Sequence, residues 1–129
     1  MDEGYFPRGT SMLRRVQGER SVGLMYGQRA LLIGALDARN YVGTALHSRY
    51  RDRPFKRLSA TAKMFETVFF GTRAEADKVL AVVDGMHRKV EGTLPEDGGA
   101  YPAGTPYSAH DPELMLWTIA VAAESSAHF

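Results

Sequence analysis

An arginine and a threonine one helical turn apart, Arg57 and Thr61, and a histidine at position 87 sit on helical segments otherwise patterned for burial. From Pro54 to Phe70, at about 100° per residue, Phe55, Leu58, Ala62, Phe65 and Phe69 fall on one apolar stripe, the expected core face. Lys56, Ser59, Lys63, Glu66 and Thr67 take the solvated side, which leaves Arg57, Thr61, Met64 and Val68 on a strip bordering the apolar one. A guanidinium removed from water must find an anion. Two partners answer that need: a structural ion pair with Glu19, Asp37 or Asp52, or a carboxylate-bearing ligand.

His87 falls inside an arc of Ala76, Val79, Leu80, Val83, Met86 and Val90. Such a histidine is either a core residue bonded to a backbone carbonyl or an axial ligand to haem iron. Ligation needs neutral imidazole in a dry pocket, and an arginine on a nearby helix would answer the haem propionates. His47 ends the first long helix, where it either caps that helix or lines the same pocket. His110 and His128 read as solvated. No paired-histidine or Glu-x-x-His spacing supports a preformed zinc or di-iron site, and phosphate-loop and nucleophile-elbow patterns are missing.

The elements that must position these residues follow from periodicity and punctuation. Residues 1–18, with Gly4, Pro7, Gly9 and Gly18, read as a loosely held arm with one short helix, and residues 19–129 as the helical domain. One central helix is expected from Glu19 to Leu46, apolar nearly all round and covered on several sides. Pro54 opens the next helix, which stops at Gly71. Thr72-Arg73-Ala74-Glu75 is a capping box for a third, ending near Gly92. Residues 92–110 hold too many glycines and prolines for any regular element, and Asp111-Pro112 restarts the chain as cap and first turn of a last, nearly all-apolar helix. The fold class is all-α: an irregular multi-helix bundle with a long Gly/Pro-rich loop before its last helix. The last helix calls for partners on several sides, either further C-terminal helices of a longer domain or a second copy in a homo-oligomer.

Composition narrows the classes. With 16 basic and 15 acidic side chains and no continuous basic stripe, nucleic acid is not an expected partner. The absence of cysteine excludes disulfides, iron–sulfur clusters and thiolate ligation. The acidic, Gly- and Pro-broken start does not have the form of a secretory signal, and no apolar window approaches the ~20 residues of a membrane span, so a cytoplasmic location is expected.

Several motifs recur together in order: Arg57-Leu58-Ser59-Ala60-Thr61, then Val68-Phe69-Phe70-Gly71-Thr72-Arg73-Ala74-Glu75-Ala76, then His87-Arg88-Lys89-Val90-Glu91-Gly92, and Tyr107-Ser108-Ala109-His110-Asp111-Pro112 leading to Leu116-Trp117. With these, the stretch from Glu19 to Ser125 resembles the MpaB-type oxygenases and rubber oxygenases, or latex-clearing proteins. The resemblance implies an α-helical domain, a b-type haem whose iron is held by His87, and Arg57 and Thr61 beside the haem. It further implies O2 and a hydrophobic small molecule as partners, with cleavage or oxygenation as the reaction. The chain departs from the family pattern at Leu36-Asp37-Ala38, where many members carry Ala-His-Pro, and at Ile119, where members often carry histidine. The family domain also usually continues with more helices. The rival expectation is a haem-free helical interaction module that keeps the fold without the chemistry.

Overall fold

The structure is a computed structural model that describes residues 3–129. Its helices are α1 (Met12–Gly18), α2 (Arg20–Gly34), α3 (Ala38–His47), α4 (Pro54–Phe70), α5 (Arg73–His87) and α6 (Pro112–Ala127), with two short strands, β1 (Glu91–Thr93) and β2 (Pro106–Ser108), before α6. The all-α expectation holds, with one small sheet added to it.

The expected single helix from Glu19 to Leu46 is two. Asp37 stands in an extended conformation and its carboxylate accepts from the Arg39 amide at 2.9 Å, a cap that starts α3 and ends the preceding run. The orphan carbonyl of Gly34 at the end of α2 accepts from Asn40 Nδ2 at 3.1 Å and from Trp117 Nε1 at 3.3 Å. α2 packs along α6, where Arg29 donates to Ser125 Oγ at 2.9 Å and Trp117 to the Gly34 carbonyl, and it also meets α1. Leu24, Met25, Leu31 and Leu32 stay exposed, so α2 is not the enclosed central helix its composition suggested.

The Gly/Pro-rich segment is also more ordered than expected. β1 and β2 pair antiparallel with Gly92 opposite Tyr107, and Leu94 and Tyr107 are buried with Leu114 of α6 against Ala38, Val42 and Tyr101. The breakers act as turn formers, since Gly99 and Gly104 adopt positive φ where the chain reverses. Burial of two large side chains fixes the hairpin that composition alone read as loop.

A buried Arg39, 7% exposed, joins this core to α6. Its guanidinium reaches Asp37 at 2.8 Å and Glu113 at 3.1 Å and lies 4.3 Å from the Tyr101 ring centroid. Burial pushes the Asp37 pKa up, but hydrogen bonds from the Arg39 side chain and amide outweigh it and hold the carboxyl below its usual range.

At the other end, Arg14 of α1 donates to the carbonyls of Phe6 (2.8 Å) and Phe69 (3.3 Å), the latter at the C-terminus of α4. The Phe6 and Phe69 rings lie 5.1 Å apart, and Tyr5 hydrogen-bonds Asp77. Residues 5–18 are thus held against the α4–α5 pair by specific contacts.

Candidate functional site

α4 and α5 carry Arg57, Thr61 and His87, and their boundaries come from local chemistry. Pro54 occupies the first turn of α4. The capping box expected at the start of α5 is formed: the Thr72 hydroxyl accepts from the Glu75 amide at 3.2 Å and the Glu75 carboxylate accepts from the Thr72 amide at 2.9 Å. Those contacts from Thr72 hold the Glu75 pKa down.

With only Gly71 and Thr72 between them, the two helices fold back as an antiparallel pair. Met64 of α4 and Lys78, Val79 and Val82 of α5 line one hollow of about 240 Å³, which fixes the register. In such a pair Arg57 and His87 both lie away from the turn, and no hydrogen bond joins them among the described residues. By helical geometry, Thr61, Leu58 and Phe65 of α4 lie on the same face of the pair as Leu80 and His87 of α5.

The stripe of α4 that faces its partner is not the one expected. Arg57, Ala60, Met64, Thr67 and Val68 are half-buried, whereas Phe55, Leu58, Ala62 and Phe65 are exposed, Phe65 by 51%. Only Phe69 of the anticipated core stripe is partly covered, by Phe6. α4 meets α5 along its length and α1 at its C-terminal end, with Arg57, Met64 and Val68 of the bordering strip and with Thr67, which was expected on the solvated side, while Thr61 of that strip stays outside. Arg57 is half-buried, and no hydrogen bond or ion pair reaches its guanidinium among the described residues. Asp37, one expected partner, is committed to Arg39, so the structural ion pair is corrected. Thr61 is exposed.

His87 departs from both sequence readings in one respect: it is exposed rather than enclosed in the arc. Its neighbours on that flank explain this, since Leu80 is also exposed, at 45%, and the half-buried positions of α5 nearest the partner are Val79 and Val83. No carbonyl or side chain among the described residues hydrogen-bonds its ring, so the core histidine tied to a carbonyl is not what is found. Partial desolvation first, and the nearby His110 second, lower its pKa below the ordinary histidine value, while Asp84 acts in the opposite sense. Unengaged ring nitrogens and a lowered pKa meet the donor half of what iron ligation requires, but the dry pocket expected around this ring is not found among the described residues, where His87 is exposed.

His110 is exposed, as expected, and its Nε2 lies 3.5 Å from Asp84 Oδ1, one turn before His87, a neighbour that sequence reasoning did not anticipate. Arg88 Nε reaches the same carboxylate at 3.0 Å, and that bond chiefly holds the Asp84 pKa down against desolvation. No local motif signals this group, because His110 arrives through the β1–β2 hairpin. No group of three or more metal-ligating side chains forms among the described residues. His47 is not brought to His87 by any contact: its Nε2 lies 3.1 Å from the hydroxyl of buried Tyr107, and the two rings meet edge-on. At Leu36-Asp37-Ala38, aspartate serves as the α3 cap and the partner of Arg39.

A family model described as ER-bound oxygenase mpaB/B'/Rubber oxygenase, catalytic domain, matches residues 14–129. No curated protein and no solved structure gives a significant match. No helix among the described residues is long and apolar enough to cross a membrane.

Proposed function

The chain belongs to the family of mpaB/B' and rubber oxygenase catalytic domains, and from that membership we propose that residues 19–129 form a haem b-dependent oxygenase unit. It acts in the cytoplasm, with O2, on a hydrophobic small molecule. What supports this reading is a His87 ring with no hydrogen-bond partner among the described residues and a lowered pKa, on the helix that pairs with the one carrying a half-buried guanidinium that has no anion.

Bound haem supplies the redox centre at which O2 is activated toward a carbon–carbon double bond. His87 would hold the iron through a ring nitrogen, its lowered pKa keeping the lone pair free at neutral pH. Arg57 would answer a propionate carboxylate, a charge-assisted contact that also relieves its own lack of a partner. The Thr61 hydroxyl would orient a polar group on the face it shares with Leu58, Phe65 and Leu80, and those exposed apolar side chains favour a hydrophobic substrate. His47 has the weaker claim to the pocket, since Tyr107 engages its Nε2.

The test is haem titration and thermal unfolding of wild type and Arg57→Leu in parallel. The substitution is expected to weaken haem affinity about tenfold or more while leaving the melting temperature of the haem-free protein nearly unchanged. Equal haem affinity in the two proteins would contradict the role of Arg57.

A further inference from the structure

We propose that the α3–α4 connection and the first turn of α4 form a docking surface for an anionic lipid bilayer, a property independent of whether the chain carries haem. From Arg49 to Arg57 the chain places five cations against one carboxylate, net +4, so the rest of the molecule is net −3. Arg49, Arg51, Arg53 and Lys56 are exposed, and no acidic side chain pairs with any of them among the described residues. α4 has no acidic residue in its first turn and no side-chain cap on its amides, so the positive end of the helix dipole adds to the same field.

In the middle of these cations stands Phe55, 84% exposed. Lys56 and, two turns on, Lys63 stand exposed on the neighbouring face of α4. The Arg51 guanidinium donates to the carbonyls of Ala45 (3.2 Å) and Leu46 (3.5 Å), and water answers Arg49, Arg53 and Lys56 but not the phenyl ring. The interface of an anionic bilayer answers both, taking the aromatic side chain into the acyl boundary and setting the guanidinium and ammonium groups among acidic headgroups. An acidic protein surface would satisfy the charges alone. Because this edge carries Arg57 itself, a substrate dissolved in the bilayer would arrive beside it.

The chain has no cysteine, so a Phe55→Cys variant takes one environment-sensitive fluorophore at a defined position. Full-length protein is sedimented with vesicles of phosphatidylcholine and with vesicles of phosphatidylcholine mixed with phosphatidylglycerol. Binding is expected only to the anionic vesicles, declining with salt, and weakened about tenfold or more in the combined Arg49→Glu, Arg53→Glu, Lys56→Glu variant. The label should shift to the blue on the anionic vesicles alone. Should the combined variant fail to fold, as judged by circular dichroism, Phe55→Ser and the salt dependence of wild type carry the same test. The proposal is overturned if anionic vesicles do not bind at low salt, if charge reversal or Phe55→Ser leaves binding intact, or if the label is instead protected in a vesicle-free dimer.

Discussion

The His110 imidazole lies 3.5 Å from the Asp84 carboxylate, one helical turn before His87, and Arg88 holds that carboxylate from its other neighbour position. The hairpin between α5 and α6 thus delivers a second histidine to the flank of α5 that carries the first, and its charge weighs on the first.

His87 should therefore titrate below the ordinary histidine value of 6.5, owing first to partial burial and then to His110. Since the unfolded chain then binds more protons than the folded one, stability should decline as pH falls from the ordinary value toward the lowered one, and be unaffected by this group at higher pH. Imidazole resonances followed by NMR in the haem-free protein check the midpoint, and His110→Gln should raise it. A midpoint at or above the ordinary value would count against this picture.

Arg39 is the most consequential charge for folding. Replacement by leucine strands Asp37 without its guanidinium and removes the stack on Tyr101, so a loss of about 3–5 kcal/mol is expected in denaturant unfolding. A loss under about 1 kcal/mol would place the pair among weak surface bridges instead.

Gly98 packs against α3 so closely that an added Cβ would overlap the Cβ of Ala38. Gly98→Ala should destabilise by about 1–3 kcal/mol, as overpacking does, and should loosen the hairpin. Because His110 reaches α5 through that hairpin, the same variant should shift the His87 titration toward its unperturbed value. Unchanged stability with an unchanged titration would contradict the coupling.

Much of this architecture was legible in the sequence where a few adjacent residues decide the outcome. Pro54, the Thr72–Glu75 box and Asp111-Pro112 set helix starts by local hydrogen bonding, and each appears where its chemistry places it. Asp37 carried the same kind of signal, but it lay inside a long apolar pattern that pointed to an unbroken helix. Periodicity defined two strips on α4 without deciding which would meet α5; the choice fell to the strip with Arg57 and Met64 and left Phe55 and Phe65 outside. The approach of His110 to Asp84 and the burial of Arg39 between Asp37, Glu113 and Tyr101 depend on segments far apart in the chain, which no local spacing records.

The central claim, that His87 binds haem iron, is tested most directly by the visible spectrum of haem-reconstituted wild type beside His87→Ala and His110→Ala. The account predicts a Soret band in wild type that is retained in His110→Ala and lost or strongly shifted in His87→Ala. No Soret band in wild type, or one identical in His87→Ala, would contradict it.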